Sequence, residues 1–506
     1  MDVVIIGAGV VGAACAYYAS RSGLSVAVVD RGPVAGGTTG AGEGNLLVSD
    51  KGAGPELGLA LLSAQLWRDL AAELPHAIEY ETKGGLVVAP DDTTLKALRD
   101  FAEGQRAAGV VSAEVGPDAL YDLEPHLARG LAGGFHYPQD AQVQPAQAAA
   151  QLLKASGAEL HLGEEVTGLL THNGNITGVR TAHRTLHAPH VVNAAGTWAG
   201  QIASLAGTDL PVLPRRGFVL VTEPLPPVIR HKVYAADYVA DVASDSAALQ
   251  SSGVVEGTPS GPVLIGATRE RVGFDRTLST EALRRLAAQA AALFPFLADV
   301  RVMRTYHGFR PYLPDHLPAI GADPRVPGLF HACGHEGAGI GLAPATGALI
   351  AAALSGTEPR LPLAPFRPDR FPEGVFAGIG TAGPPEVAWR EARTALRFAT
   401  AREPVVRYAA LGVLALLAEV PREVLRGNPD VAAMARLAGS PEDLETLDAY
   451  CATGSLRRAA DLLHLHHSSV ARRIEQIGRV LGLDLGGAPG LGRAGMALAA
   501  WRLLAE

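Results

Sequence analysis

Three glycines and one acidic residue near the start of the chain have the types and spacing needed to bind a dinucleotide. The glycines are Gly7, Gly9 and Gly12, and the acid is Asp30. In such a motif the first glycine allows a sharp turn, the second lets a pyrophosphate approach the backbone, and the third permits close helix packing. An acid that ends the next strand can hold a ribose diol. The pattern therefore predicts a dinucleotide site.

The elements that must position these residues are a strand, a helix and a second strand. Val- and Ile-rich runs over residues 2–6 and 25–29 are typical of strands buried on both faces. Small residues at 13–22 predict a helix between them, and its N-terminus would offer free N–H groups to phosphates. Because all these elements occur in the right order, we favour the dinucleotide site over a simple glycine-rich loop.

Two further segments are rich in glycine. Residues 36–50 combine small residues with hydroxyls, which suits a close approach to a phosphate or a ring, although a flexible loop would explain them equally well. Residues 328–356 read as a strand at 329–332, a tight turn and a helix at 345–354. Two turns that each lead into a helix could hold both ends of a long cofactor, and the second helix could stabilise a ring that becomes anionic when reduced.

Strand and helix patterns alternate through the first 371 residues. The hairpin at 166–180 turns at Asn173-Gly174, and a buried strand from residue 191 runs into Ala194-Ala195-Gly196. Strands dominate between residues 217 and 268. Other predicted helices cover residues 56–74, 93–109, 146–156 and 280–294, and other predicted strands cover 85–89, 159–162 and 302–310.

The composition is that of a globular protein with more than one domain. The chain has 506 residues, of which 48% are hydrophobic, and its net charge of −8 disfavours a general polyanion-binding surface. Cys15, Cys333 and Cys451 are far apart, so neither a disulfide framework nor a metal site is expected, and a cytoplasmic location fits. We expect no signal peptide and no membrane span, because the apolar run at 409–418 is too short to cross a bilayer.

Together the motifs resemble the D-amino-acid oxidase and glycine oxidase family of FAD-dependent oxidoreductases, over residues 1–371. The motifs are GAGVVG with Asp30, GTTGAGEGNLL, Val166 in the hairpin, VVNAAGTWA, HGFRPYLPDHLPAIG and GHEGAGIGLAPATG. The GEGN and GHEG turns are most similar to those of the flavin subunits of opine, hydrogen-cyanide-forming and D-hydroxyproline dehydrogenases. The resemblance implies an α/β (α+β) two-domain flavoprotein, with a Rossmann-like FAD domain interleaved with an antiparallel-sheet substrate domain.

The resemblance also implies the site residues. Arg310 in GFRP would bind the substrate carboxylate, a role that suits a bidentate, permanently charged guanidinium. His335 is a second catalytic candidate, and Glu256 and Arg269 would face the substrate. The implied FAD contacts are Gly7, Ala8, Gly9, Val10, Val11, Gly12, Asp30, Arg31, Thr38, Thr39, Gly44, Asn45, Leu46, Val166, Ala195, Gly196, Trp198, Gly337, Ala338, Gly339 and Ile340.

This chain departs from the family in two places. Residues 308–310 contain no cysteine where the covalently flavinylated members carry one, so we expect FAD to be held without a covalent bond. The tyrosine that helps bind the carboxylate in glycine oxidase has no secure counterpart within residues 249–266.

The region after residue 371 has a different composition. A Pro- and Gly-containing linker at 372–385 precedes residues 386–506, which are rich in Ala, Leu and Arg and contain no Lys. Helices are predicted at 456–463 and from residue 468, and the second has an apolar face formed by Val470, Ile474, Ile477 and Leu481. This pattern fits a helix-turn-helix, and it fits an ordinary pair of packed helices equally well.

Residues 405–506 resemble the C-terminal helix-turn-helix domain of PucR-type regulators. The resemblance rests on VVRYAALGVLALLA and DLETLDAYCATGSLRRAADLLHLHHSSVARRIEQI. It implies DNA binding through Ser468, Ser469, Arg472 and Arg473.

Three functions follow from these patterns. The first is hydride transfer to FAD from a small amine that bears a carboxylate, such as a D-amino acid, glycine, a D-proline-like imino acid or an opine. Dioxygen or a partner subunit would then accept the electrons. The second is a flavin-linked transcriptional regulator that acts through the helix-turn-helix. The third is an intact enzyme fused to a non-functional regulator fragment. The complete set of flavin motifs favours the enzyme.

Overall fold

The computed structural model describes residues 1–74, 78–238, 246–371, 377–381, 385–399, 405–437, 440–463 and 465–504. The chain forms two compact units, Met1–Phe371 and Pro372–Glu506. The first unit mixes large sheets with helices and the second is mainly helical, which confirms the predicted fold class. Most of the predicted linker at 372–385 lies outside the described residues.

The first unit contains nineteen numbered strands and eight numbered helices in its described residues. Strands β1 to β19 are Val3–Ile6, Val26–Asp30, Asn45–Leu46, Gly85–Ala89, Ala113–Val115, Gly133–Tyr137, Ala141–Gln142, Glu159–Leu162, Val166–His172, Asn175–Thr181, Thr185–His187, His190–Asn193, Leu213–Thr222, Lys232–Ala235, Gln250–Gly257, Val263–Arg269, Val302–Tyr312, Ala319–Ala322 and Leu329–Cys333. Helices α1 to α8 are Val10–Arg21, Pro55–Glu73, Asp92–Ala107, Pro117–Leu123, Pro145–Ser156, Ala199–Ser204, Thr280–Leu293 and Gly339–Ser355.

A six-stranded sheet forms the centre of the first unit, in the order β18-β19-β12-β1-β2-β8. All its pairs are parallel except β18 with β19. The four residues of β1 are at most 5% exposed, which explains why its sequence is uniformly apolar. Because β1 and β2 are parallel neighbours, their carboxyl ends lie at one edge of the sheet, where ligands bind in such folds.

Helix α8 begins at Gly339, six residues before the predicted start at residue 345, so that prediction was wrong. The prediction placed the start after Pro344, which instead lies inside the helix. Proline cannot donate to the carbonyl four residues earlier. The indole Nε1–H of Trp67 donates to that Ile340 carbonyl oxygen at 3.1 Å. A side chain from α2 thus supplies the hydrogen bond that the proline removes.

The stretch Glu336–Ser355 is long and apolar enough to cross a membrane, with a mean hydropathy of 1.6, although no membrane span was expected from the sequence. No other helix within the described residues meets both criteria. It is a core helix in this fold, because it packs closely on α1. A Cβ on Gly347 would lie 2.6 Å from the Ala14 carbonyl.

A second large sheet has eight strands in the order β17-β13-β16-β15-β14-β4-β6-β5. Its pairs are antiparallel except β14 with β4, and α7 packs on it. In the pairing of β13 with β17, Arg215 lies opposite Arg310, and Gly217 lies opposite Gly308. The hairpin of β9 and β10 turns at Asn173-Gly174, as predicted.

The second unit is built around its own apolar core. Its strands β20 and β21 are Ala377–Ile379 and Val405–Arg407, and its helices α9 to α16 are Pro385–Leu396, Tyr408–Leu411, Arg422–Gly427, Pro429–Leu437, Pro441–Thr453, Leu456–Leu463, His467–Leu481 and Ala488–Arg502. Helices α14 and α15 confirm the two predicted helices. Val470, Ile474, Ile477 and Leu481 are at most 7% exposed, which confirms the predicted apolar face.

Candidate functional site

A cavity of about 480 Å³ lies in the first unit. This volume is within the range of about 300–1,000 Å³ that is usual for small-molecule sites. Residues from the glycine turn after β1, from β13 and β17, and from the turn before α8 line the cavity. The cavity therefore joins the carboxyl edge of the six-stranded sheet to one face of the eight-stranded sheet.

The first glycine turn forms one end of the cavity through close backbone packing. Gly7 has a φ of 115°, and a Cβ there would lie 2.4 Å from the Ala194 carbonyl oxygen. A Cβ on Gly12 would lie 1.9 Å from the Gly7 carbonyl oxygen. The N-cap residue of α1 is Gly9, which has no side chain to cap the helix, so the positive end of this helix can face an anion.

Asp30 ties the turn to the end of β2. Its two carboxylate oxygens accept hydrogen bonds from the backbone N–H groups of Ala8 and Gly32, each at 2.7 Å. Asp30 also lines the cavity, where a ribose diol would lie if the site holds a dinucleotide. The carboxylate thus fixes the glycine turn and faces the ligand space.

Hydroxyls and one aromatic ring complete the nucleotide end. Thr39 Oγ1 accepts a hydrogen bond from the Val10 N–H at 3.1 Å, and Thr38 donates to the Phe309 carbonyl at 2.6 Å. The Arg31 guanidinium lies 4.3 Å from the centroid of the Trp198 ring. These contacts connect the loop after β2 to both sheets.

Most of the predicted FAD contacts line this single cavity. The three that do not are Ala8, Gly12 and Leu46. Ala8 donates its N–H to Asp30, and Gly12 packs against the Gly7 carbonyl, so both stabilise the turn without facing the cavity. Leu46 is 4% exposed and lies in the core. The lining residues among the predicted contacts are Gly7, Gly9, Val10, Val11, Asp30, Arg31, Thr38, Thr39, Gly44, Asn45, Val166, Ala195, Gly196, Trp198, Gly337, Ala338, Gly339 and Ile340.

Arg310 lies at the other end of the cavity, half-buried in its wall. Its Nη1 donates to the Thr268 carbonyl oxygen at 2.7 Å, and a Cβ on Gly217 would lie 2.1 Å from the same nitrogen. Burial, helped by the charge of Arg269, lowers the pKa of Arg310 to about 10. The guanidinium therefore remains charged at neutral pH and can bind a carboxylate.

His335 also lines the cavity, but its chemistry differs from that of an acid–base catalyst. Its Nε2 lies 2.9 Å from Thr346 Oγ1, and Thr346 donates to the Leu342 carbonyl. Burial lowers the pKa of His335 to about 3. A histidine with so low a pKa is a weak base at neutral pH, so this placement favours a positioning role.

Glu256 and Arg269, the other predicted substrate contacts, lie outside the cavity lining. Glu256 is fully buried, and its Oε2 lies 3.4 Å from Lys232 Nζ. Burial raises the pKa of Glu256 to about 7, although the lysine opposes this shift. Arg269 is 4% exposed, and its Cζ lies 4.9 Å from the ring centroid of Tyr238, which does line the cavity.

Glu43 and Tyr238 are among the polar residues that line the cavity without having been predicted from the sequence. Glu43 belongs to the GEGN turn, so the motif was a usable signal for it. A Cβ on Gly266 would lie 2.1 Å from Glu43 Oε1, which shows how closely β16 approaches this turn. Tyr238 follows β14 without any motif, and only the fold brings it to the cavity.

The observed residues fit FAD. The N-terminus of α1 suits a pyrophosphate, because its N-cap Gly9 lines the cavity without a side chain, and Asp30 suits a ribose. A family model described as FAD dependent oxidoreductase (DAO) matches residues 2–353. The chain belongs to this family. It is therefore an FAD-dependent oxidoreductase, as the motifs predicted.

Known members of the DAO family resemble the first unit over nearly their whole length. The hydrogen cyanide synthase subunit HcnC of Pseudomonas aeruginosa is 31% identical over 427 residues, covering 75% of this chain and 98% of the relative. The crystal structure of glycine oxidase from Geobacillus kaustophilus has a TM-score of 0.66 at 29% identity, covering 73% of this chain and 98% of that one. Iminodiacetate oxidase from Chelativorans sp. BNC1 has a TM-score of 0.64 at 26% identity, covering 72% and 99%.

The second unit carries a separate candidate site on α15. A model of the PucR C-terminal helix-turn-helix domain matches residues 443–500, which confirms the second resemblance. Ser468 and Arg472 are exposed and Ser469 is partly buried. Arg473 is partly exposed and donates to Glu442 Oε2 at 2.7 Å. This ion pair engages one of the two arginines that the resemblance assigned to DNA binding.

Proposed function

We propose that this chain oxidises a small amino or imino acid. The observation that carries the proposal is the cavity-lining guanidinium of Arg310, which is oriented by the Thr268 carbonyl beside the turn that leads into α8. A Cβ on Gly337 in that turn would lie 3.4 Å from Arg310 Nε. The names of the relatives support this class, because glycine and iminodiacetate are both small amines that carry a carboxylate.

Bound FAD would supply the acceptor for the substrate's α-hydrogen as a hydride, and the resulting imine would hydrolyse to an oxo acid and ammonia, or an amine where the substrate amine is secondary. Arg310 would hold the substrate carboxylate and so orient the α-carbon. Glu43 lines the same end of the cavity and offers a negative charge to the substrate's amino group. No side-chain base is required, since the amino group can lose its proton to water before hydride transfer.

The test is the visible spectrum of the purified protein during anaerobic addition of glycine, D-alanine, D-proline and sarcosine. We expect at least one of these amines to bleach the flavin absorption. A spectrum that stays unchanged with every amine and imino acid tried would contradict the proposal. Oxygen uptake during turnover would then distinguish dioxygen from a partner subunit as the electron acceptor.

Acid precipitation of the same sample tests how the cofactor is held. We infer non-covalent attachment, because the described cysteines Cys15, Cys333 and Cys451 are absent from the segment around Arg310. Cys333 is buried, and burial raises the pKa of its thiol to about 12, so it is a poor nucleophile at neutral pH. Yellow colour that stays in the precipitate would contradict this inference.

Weak binding of duplex DNA is a second activity that we propose for the helical unit. It rests on the helix-turn-helix match and on the exposed start of α15. Fluorescence anisotropy of a labelled duplex from upstream of the gene would compare the full chain with a chain that ends at Phe371. We expect binding at low salt by the full chain alone, and equal binding by both chains would contradict it.

A further inference from the structure

Two arginines lie close together at the substrate end of the cavity. Arg310 lines the cavity on β17. Arg269 ends β16, which pairs with the other side of β13, and it follows the cavity-lining residue Ala267 by two positions. Residues two apart on a strand share one face of a sheet, so Arg269 lies on the cavity side. Its guanidinium lies 4.9 Å from the centroid of the Tyr238 ring, and Tyr238 lines the cavity whereas Arg269 does not.

Within the described residues, neither guanidinium has an acidic partner. Arg310 Nη1 donates only to a neutral carbonyl, that of Thr268. Arg269 is only 4% exposed, and its buried Nη1 atom has no hydrogen-bond partner. A buried charge is normally paired, and two neighbouring positive charges raise the cost of burial further. The charge of Arg269 indeed contributes to the lowered pKa of Arg310.

Two carboxylates lie near these arginines, and neither forms an ion pair with them. Glu336 pairs with Arg215, which lies opposite Arg310 in the sheet, and with His316 at 3.0 Å. Glu43 Oε2 lies 3.3 Å from Asn45 Nδ2, while its Oε1 is buried without a hydrogen-bond partner, so this carboxylate is left for the substrate's amino group. The site therefore has two positive charges that these acids do not pair, whereas a substrate with one carboxylate brings only one negative charge to them.

We propose that the substrate is a dicarboxylic amino or imino acid, with one carboxylate on Arg310 and the second on Arg269. The inference rests on the proposed amine oxidation and narrows its substrate class. A second carboxylate would neutralise the charge of Arg269 and satisfy its unpaired Nη1. For the second carboxylate to reach Arg269, the Tyr238 side chain would have to shift, because it contacts the Arg269 guanidinium and lines the cavity.

Binding of unreactive carboxylates to the FAD-loaded protein tests the charge argument without turnover. Malonate and acetate differ by one carboxylate, and the shift of the flavin spectrum reports their dissociation constants. We expect malonate to bind at least about tenfold more tightly than acetate, and the ratio to fall to about twofold in Arg269→Leu. Arg269→Lys should restore part of the preference, and Arg284→Leu, which removes an exposed arginine from α7, should keep the full ratio.

Matched substrates test the same inference in turnover. Iminodiacetate and sarcosine share a secondary amine, and D-aspartate and D-alanine share a primary one, so each pair differs by a carboxylate. We expect a higher rate of anaerobic flavin reduction at low concentration with the dicarboxylate of at least one pair. Bleaching by the monocarboxylates with no preference in either assay would overturn the inference and leave amine oxidation standing. A malonate preference without bleaching by any amine would instead overturn amine oxidation.

Discussion

The two ends of the cavity differ in whether backbone or side chains form them. The nucleotide end consists largely of backbone brought close by glycines, most of it in the contiguous segment from β1 to β2, which Thr38, Thr39 and Trp198 complete. The substrate end consists of side chains from distant strands and turns, namely Glu43, Tyr238, Arg269 and Arg310. A local backbone motif tolerates little change in sequence. Side chains on a sheet can be substituted one at a time. Substitutions at the substrate end can therefore change the substrate while the nucleotide end still binds the cofactor.

Gly12→Ala should break the nucleotide end most severely. The new Cβ would lie 1.9 Å from the Gly7 carbonyl oxygen, so the turn could not keep its shape. We expect loss of bound FAD or of folded protein, measured by flavin content and by thermal unfolding. Gly58→Ala is the control, since a Cβ at this position in α2 would meet nothing within 4 Å. A Gly12→Ala protein with normal flavin content would contradict the close packing described for this turn.

Arg310→Leu should disable the substrate end while the nucleotide end still holds FAD. Loss of a charge-assisted partner for a buried carboxylate costs about 2–5 kcal/mol, so we expect flavin reduction to slow by about two to three orders of magnitude. Flavin content and anaerobic bleaching would be measured on the same sample. Bleaching at the wild-type rate with a normal flavin content would remove Arg310 from the substrate site.

Glu336→Gln tests the charge network behind the substrate end through its pH dependence. Burial alone would raise the pKa of Glu336, but the hydrogen bond with His316 and the charge of Arg215 lower it to about 2. Since the folded pKa is below the unfolded one, this stabilisation is present above about pH 4.5 and is lost as the pH falls towards 2.

Thermal unfolding from pH 7 down to pH 3 would measure this effect. We expect the variant to be destabilised by about 3 kcal/mol at pH 7, and the difference from the wild type to shrink in acid. Glu281→Gln is the control, because its exposed ion pair with Arg285 should contribute less than about 1 kcal/mol. A difference between Glu336→Gln and the wild type that stays constant with pH would refute the assigned network.

Glu442→Gln in the helical unit should produce the smallest effect. It would release Arg473 from its 2.7 Å ion pair, so we expect duplex affinity at low salt to rise by up to about fivefold. Glu475→Gln removes a similar charge from α15 and breaks the pair with Arg479 at 3.0 Å, without freeing Arg473. Equal gains in the two variants would show that net charge matters and that the Arg473 pair does not.

The sequence alone determined the features that depend on near neighbours in the chain. These are the strand, turn, helix and strand around Gly7, the hairpin at Asn173-Gly174, and the apolar face of α15. Each follows from backbone freedom or from periodicity, both of which are readable from residue types over a short window. The start of α8 could not be predicted in this way. Pro344 suggests that the helix begins after it, and only the structure shows that Trp67 bonds to the Ile340 carbonyl and so allows the proline inside the helix.

Only the tertiary structure decided which side chains meet at the substrate end. Arg215 and Arg310 are cross-strand neighbours, Arg269 stands behind Tyr238, and Glu43 approaches β16 at Gly266. None of these contacts follows from local spacing, because strand order and register are set by the packing of the whole sheet. The same holds for the charge of Arg473, which is engaged by a glutamate on another helix. The charged residues at the substrate end and on α15 are therefore brought to their neighbours from distant parts of the chain. The cofactor turn, in contrast, is encoded within thirty residues.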